Sequence, residues 1–273
     1  LIEEECLPLG LLARKLNISS STFKSLWENG IVSIESVPYY RNPVKLDVER
    51  EGGKRLSPSQ QRIVDDFFEK YDAGSRQTCL LKGITGSGKT EVYMALIEGV
   101  VKRGRQAVML IPEIALTYQT VLRFYKRFGD RVSVMNSSLS AGEKYDQCER
   151  AKRREIDVII GPRSALFTPF PDIGLIVIDE EHEGSYKSET MPKYHARETA
   201  EELARLHGAA VFLGSATPSL ESYYRAGEGR YRLYTMTERL NGGTLPQVYV
   251  EDLRQELKEG NRSIFSRRLT ALL

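Results

Sequence analysis

The run Gly83-Ile84-Thr85-Gly86-Ser87-Gly88-Lys89-Thr90 has the residue types and spacing to close around a phosphate. It fits G-x-x-x-x-G-K-[ST], in which glycines let backbone N–H groups point into one concavity and a helix N-terminus adds partial positive charge. In that pattern Lys89 reaches the β- and γ-phosphates and the Thr90 hydroxyl binds Mg²⁺. The expected nucleotide ligands are therefore Gly83, Thr85, Gly86, Ser87, Gly88, Lys89 and Thr90. A second run, Leu175-Ile176-Val177-Ile178-Asp179-Glu180-Glu181-His182, passes from apolar residues to acids. A strand there delivers Asp179 to the edge where open α/β sheets bind ligands, beside the Mg²⁺. Glu180 is then placed to orient or deprotonate an attacking water, which favours hydrolysis over a resting switch.

These residues need a frame. The short apolar run 78–81 before the first motif suits a buried strand, and residues 90–99 after it have helical spacing. From Leu56 onward the pattern alternates, with strands at 106–111, 131–135, 157–160, 175–178 and 210–213. Helices are expected at 116–128, 141–154 and 196–206, the last ended by Gly208. Strands apolar on both faces and separated by helices imply a parallel sheet covered on both sides, an α/β fold of the P-loop, RecA-like kind. Residues 1–48 read as a separate winged-helix-like module, with helices at 9–16 and 21–28, a capping serine between them and a strand at 31–34. Its second helix carries Lys24 but also Glu28, so it is not a basic reading head. Residues 45–55 are the expected linker, 49–250 the nucleotide-binding lobe, 245–253 a closing strand, and 251–273 a tail or the start of a second lobe.

Composition sets outer bounds. The 273 residues suffice for one large α/β domain and a small one. The formal net charge of +2 requires any nucleic-acid contact to come from local patches. No apolar run is long enough to span a bilayer and nothing resembles a signal peptide, so a cytoplasmic location is expected. Cys6, Cys79 and Cys148 form neither C-x-x-C nor a zinc pattern and are expected as reduced thiols. The chain starts without Met and ends in what reads as mid-helix, so it is expected to be a fragment of something longer.

Several other stretches follow strands of the same sheet and should open on the face of the first motif. Ile111-Pro112-Glu113-Ile114-Ala115-Leu116-Thr117 and Gly161-Pro162-Arg163-Ser164-Ala165-Leu166-Phe167 offer backbone N–H groups, Thr117, Arg163 and Ser164 to a phosphodiester backbone. Gly214-Ser215-Ala216-Thr217-Pro218 offers hydroxyls that could link a phosphate site to a DNA site. Gln60, before the first long helix, has the donor and acceptor that suit the edge of adenine.

Together these motifs resemble superfamily 2 helicases, and most closely the PriA family of primosomal replication-restart helicases. The matching residues are LSPSQ, GITGSGKT, LIPEIALT, GPRSALFTPF, VIDEEHEGSYK, YHARETA and GSATPS, and they cover nearly the whole chain. The resemblance implies an ATP-driven 3′→5′ DNA helicase acting in replication restart, with ATP and Mg²⁺ as cofactors. Single-stranded and forked DNA, primosome proteins and single-strand-binding proteins are the implied partners. It implies that Gln60 reads adenine, that Asp179 and Glu180 hold metal and activate water, and that His182, Ser215 and Thr217 couple hydrolysis to DNA. Residues 184–195 would be an aromatic-rich loop sensing single strands, here with Tyr186, Lys187, Lys193, Tyr194 and His195; rings stack bases and lysines pair with phosphates. Pro112 belongs to the matching LIPEIALT run.

The sequence departs from the family in two places. Asn136 stands where the family usually has His, and the second lobe with its arginine finger, the clustered cysteines that bind structural zinc and the DNA-end-binding domain are not in this sequence. Nucleotide binding with slow hydrolysis and no unwinding is therefore expected of this chain alone. The competing readings are a double-stranded DNA translocase, which should lack the SYK…YHAR loop, and a nucleotide-dependent docking module for replication proteins. A small-substrate kinase fits less well, because no Arg-rich lid follows the motif helix.

Overall fold

The computed structural model describes residues 9–34, 52–53, 55–240 and 247–273. The chain divides into two units, Leu1–Asn42 and Pro43–Leu273. In the first unit α1 (Leu9–Leu16) and α2 (Ser20–Glu28) form as the spacing predicts. The Ser19 hydroxyl caps α2 by accepting from Thr22 N at 3.4 Å, and Lys24 pairs with Glu28 across one turn at 3.9 Å. The strand expected at 31–34 is not there: residues 31–32 bend, 33–34 are irregular, and none has a ladder partner among the described residues. A β-branched run becomes a strand only when a neighbour takes its backbone groups. The remainder of the winged-helix expectation, through residue 48, lies outside the described residues.

The second unit runs α3 (Pro58–Asp72), β1 (Cys79–Gly83), α4 (Lys89–Lys102), β2 (Gln106–Leu110), α5 (Tyr118–Phe128) and β3 (Val132–Val134). It continues with α6 (Ala141–Lys152), β4 (Val158–Gly161), β5 (Ile173–Asp179), α7 (Ala196–His207) and β6 (Ala210–Ser215). Then come α8 (Leu220–Gly227), β7 (Arg232–Met236), α9 (Leu253–Lys258) and α10 (Arg267–Leu272). The seven strands form one sheet in the order β3-β4-β2-β5-β6-β1-β7, every pair parallel. The closing strand expected at 245–253 does not form where it is described: 247–252 are irregular and lead into α9. The edge position beside β1 is taken instead by β7, in register from Cys79–Arg232 to Gly83–Met236.

The alternation of side chains along each strand builds two cores. Leu81, Ala107, Met109, Val177 and Phe212 face α3, α4 and α5, where Phe67, Tyr93, Leu96, Ile97 and Phe124 close on them. Leu80, Val108, Leu110, Ile176 and Leu213 face the other way, toward Ala200 and Ala204 of α7 and Phe170. Burial on both faces is what turned these strands into continuous apolar runs.

A parallel sheet puts all its strand-to-helix loops on one edge and all its helix-to-strand turns on the other. The return turns here carry Gly74, Gly104, Gly208 and Gly229, all at positive φ. Arg105 fastens that edge, donating to Ile173 O at 2.6 Å, His207 O at 2.7 Å and Gly208 O at 2.9 Å, so the last carbonyls of α7 are satisfied. Among the described residues no helix is long and apolar enough to cross a membrane.

Candidate active site

Three neighbouring strands, β5, β6 and β1, deliver the residues that the sequence singles out. The first motif turns off β1, and Gly88 at φ 83 starts α4 in a left-handed conformation that a side chain would resist. Lys89 is buried to 9% exposure. Its Nζ donates to Gly83 O at 2.9 Å and lies 3.6 Å from Glu180 Oε1. Ser87 is fully buried and its Oγ has no hydrogen-bond partner among the described residues. An orphaned hydroxyl inside a loop of N–H donors is a group waiting for an acceptor, which a phosphate oxygen supplies. The loop thus fits a nucleotide phosphate on its own geometry.

The acid pair leaves β5 through a tight turn. Glu180 takes φ 45, a left-handed value that costs a non-glycine residue on the order of 1 kcal/mol. The surroundings hold it there. Glu181 N donates to Gly214 O at 3.0 Å, Glu183 N to Glu180 O at 2.9 Å, and Tyr186 OH to Asp179 O at 2.6 Å. Asp179 Oδ1 accepts from Tyr93 OH at 3.0 Å and from Glu180 N at 3.1 Å. Tyr93 gets there because Gly214 has no side chain: a Cβ at Gly214 would lie 1.7 Å from the Tyr93 oxygen. Burial, then the neighbouring Glu180 charge, push the Asp179 carboxyl up to about 6, against the Tyr93 hydroxyl and Lys89. A carboxyl held this way binds a proton or a cation readily.

Ser215, at the end of the middle strand β6, joins the pieces. Its Oγ lies 2.7 Å from His182 Nδ1 and 3.4 Å from Glu180 Oε2, and accepts from Thr217 N at 3.0 Å. The hydroxyl has one proton to give. With a proton on His182 Nδ1, His182 donates to Ser215 and Ser215 to Glu180. With Nδ1 bare, Ser215 donates to His182 and Glu180 loses that donor.

The loop after the acid turn is closed by a bridge between Lys187 and His195 and by Ser188 N donating to Tyr194 O at 2.8 Å. His195 caps α7, its Nδ1 accepting from Arg197 N at 3.2 Å. Burial holds its pKa below the usual imidazole value, in keeping with a neutral ring that accepts there. The loop borders an open cleft of about 540 Å³ with Lys187, Lys193, Tyr194 and His182 on its walls. Arg163 donates to Ser185 O at 2.8 Å and Lys187 O at 2.7 Å, and Phe167 meets Tyr194 edge-to-face at 5.1 Å. The GPRSALF segment therefore braces this loop.

The sequence expectations sort as follows. Lys89, Asp179, Glu180, His182, Ser215 and Thr217 are joined in one hydrogen-bonded and ion-paired set. Tyr186 is not a surface ring. It is 1% exposed and supports the Asp179 turn, so its position suits coupling and leaves no face for a base. Gln60 is 2% exposed, with Oε1 accepting from Ser57 N at 2.8 Å and Nε2 donating to Gly88 O at 3.1 Å. It touches the phosphate loop directly and keeps one acceptor lone pair. Thr85 and Ser164 are exposed. Pro112 O starts a 3₁₀ turn by accepting from Ala115 N at 2.8 Å, and Thr117 caps α5 through Thr120 N at 3.3 Å.

One cluster escaped the sequence reading. Glu181 and Arg197, with side chains 0% and 6% exposed, pair at 3.4 Å. Glu181 also accepts from Ser219 N at 2.7 Å, Ser219 Oγ at 3.0 Å and Ser222 Oγ at 2.9 Å, while Arg197 donates to the same two hydroxyls at 2.9 Å each. The pair ties the acid turn to the starts of α7 and α8. Arg197 shares the stripe of Ala200 and Ala204 at helical spacing, and a charge on an apolar stripe was the signal available.

The P-loop on a parallel, doubly covered sheet defines the class: the chain belongs to the family described as Type III restriction enzyme, res subunit, whose model matches residues 53–220. It is 44% identical over 261 residues to the replication restart protein PriA of Bacillus subtilis, an overlap of 95% of this chain and 32% of that protein. The corresponding protein of Synechocystis sp. is 40% identical over 267 residues, 96% of this chain and 32% of that one. The chain thus spans about a third of the length of these curated relatives. Among solved structures, RecG bound to a three-way DNA junction matches in fold with a TM-score of 0.50 at 18% identity, covering 89% of this chain and 30% of that one.

Proposed function

We propose that this chain is the ATP-binding, DNA-sensing lobe of a 3′→5′ DNA helicase that acts in replication restart and primosome assembly at stalled forks. The observation that carries this reading is the ion-paired and hydrogen-bonded set formed by Lys89, Asp179, Glu180 and Ser215 just beyond the ends of three adjacent strands. In this reading the 83–90 loop and Lys89 hold the β- and γ-phosphates, and Gln60 meets adenine. Thr90 and Asp179 hold Mg²⁺, which when bound supplies charge neutralisation at the phosphates. Glu180 takes a proton from the attacking water. His182, Ser215 and Thr217 pass the state of Glu180 to loop 187–195. There Lys187, Tyr194 and His195, with Pro112, Thr117, Arg163 and Ser164 on the same edge, meet the single strand. The helices of the first unit open a winged-helix-like module, and primosome and single-strand-binding proteins are the proposed protein partners. A charge-stabilising arginine from elsewhere is worth roughly 10³–10⁵ in rate in such sites, so this chain alone binds nucleotide, hydrolyses it slowly and does not unwind.

The test is binding of a fluorescent ADP with Mg²⁺, then turnover with single-stranded or duplex DNA. Lys89→Ala should weaken binding at least roughly tenfold, since it removes the charge that the phosphates meet. Single strands should stimulate turnover more than duplex does. Equal binding by Lys89→Ala would remove the nucleotide reading, and a duplex preference would favour the translocase.

The Asp179 carboxyl adds a pH dependence. Its folded pKa is raised, so the fold carries no cost from it below the unfolded value, and the cost grows as pH rises through about 6. Above that pH the ionised group is available to Mg²⁺. The gain in ADP affinity on adding Mg²⁺ should therefore be full near about pH 8 and mostly gone near about pH 5. A Mg²⁺ effect flat across that range would separate Asp179 from the metal.

A further inference from the structure

Beyond β7 the chain does not leave the site. Ile84 N donates to Met236 O at 3.1 Å, and Leu240 N donates to Gly86 O at 3.1 Å, so residues 237–240 run along the phosphate loop. Arg239 Cγ lies 3.9 Å from the place a Cβ would take at Gly86, and among the described residues nothing else apart from the glycine's own chain neighbours comes within 4 Å of it. Arg239 Nε is buried and has no hydrogen-bond partner among the described residues. A Cβ at Gly88 would lie 2.4 Å from Leu240 Cδ1 and 2.5 Å from Gln60 Nε2, so an apolar side chain and an amide close on one point of the loop. Leu240 is 51% exposed, which leaves part of its side chain open to a ligand.

The chemistry of this corner is that of a base subsite. An aromatic heterocycle takes an apolar wall for its face and an amide for its edge. A buried guanidinium nitrogen without a partner costs free energy unless an acceptor arrives, and phosphate oxygens are the acceptors at a P-loop. Resting on the nucleotide reading above, we infer that Arg239 and Leu240 are nucleotide-binding residues. Leu240 forms with Gln60 the corner that takes a purine base, and Arg239 adds a cation to the phosphate side. Nothing in the sequence pattern around Thr237-Glu238-Arg239-Leu240 marks it as a motif. It reaches the site because β7 is the neighbour of β1.

The experiment measures the Kd of fluorescent ADP and the competition by inorganic pyrophosphate, for the unaltered chain, Leu240→Ala, Leu240→Met, Arg239→Gln and Lys89→Ala. Leu240→Ala should weaken ADP about tenfold and leave pyrophosphate unchanged, and Leu240→Met should restore most of the loss. Arg239→Gln should weaken both ligands. Melting temperatures check that each variant is folded. If Leu240→Ala leaves ADP within twofold, or weakens pyrophosphate equally, the base corner is refuted, the second result meaning that the segment only shapes the loop. If Arg239→Gln changes neither ligand, its part falls. Loss of ADP binding in Lys89→Ala with no effect at 239 or 240 overturns this inference and leaves the nucleotide reading standing. Failure of the unaltered chain to bind either ligand overturns both.

Discussion

Arg197→Ala should lower folding stability by roughly 3–5 kcal/mol, the largest loss expected from any single truncation near the site. The cause is what stays behind. The Glu181 side chain is wholly buried, and without Arg197 its carboxylate keeps only the Ser219 and Ser222 donors. Those three hydrogen bonds place the loss toward the lower end of the range. The two hydroxyls also lose the guanidinium that orients them. For a unit of this size the melting temperature should fall by roughly 10 °C. The double variant Arg197→Met, Glu181→Gln separates cause from size, because it removes both charges and keeps similar volumes. It should recover much of the loss, as replaced buried ion pairs often do. A single variant that melts within about 2 °C of the parent would show that the charge is solvated.

Glu180→Gln should reduce hydrolysis on the order of 10²–10⁴-fold and leave nucleotide affinity within a few-fold. The amide has the shape to keep contact with Lys89 and with the Ser215 hydroxyl, so the site should hold together. What it loses is the ability to take a proton. Single-turnover phosphate release suits the measurement, since even a slow chain can be followed to completion. The variant has a second signature. The Glu180 charge is the next cause after burial of the raised Asp179 carboxyl, so its removal should move the Mg²⁺ dependence of binding to lower pH. A loss under tenfold would take the proton-accepting role away from Glu180. Such a loss with the pH shift still present would leave Glu180 as an electrostatic neighbour only.

The strands were legible because both faces of the sheet are covered, which writes them as unbroken apolar runs, and the P-loop was legible because its chemistry tolerates few residues. β7 was not, since an edge strand with Arg232, Leu233 and Thr235 partly or fully exposed lacks such a run. The strands expected at 31–34 and 245–253 had the composition without a partner among the described residues. Their sequences satisfy local propensity, and tertiary pairing decided otherwise. Within the candidate site, the residue types were legible one by one, and their mutual contacts were not. Ser215 meets His182 across 33 positions, and Glu181 meets Ser222 across 41. Such distances are closed by the strand order alone. Tyr186 was grouped with rings that sense DNA by stacking or coupling, and the fold spends its hydroxyl on a backbone carbonyl, a position that suits coupling alone.

Because all seven strands run the same way, the sheet gives the molecule two poles. One holds the reactive loops. The other holds return turns, where Gly74, Gly104 and Gly229 face open space: among the described residues, a Cβ on any of these glycines would meet nothing within 4 Å. Evolution and the experimenter have the same freedom at that pole. Extra residues, a dye or an anchoring tag inserted at these turns should leave the candidate site, at the opposite edge of the sheet, undisturbed.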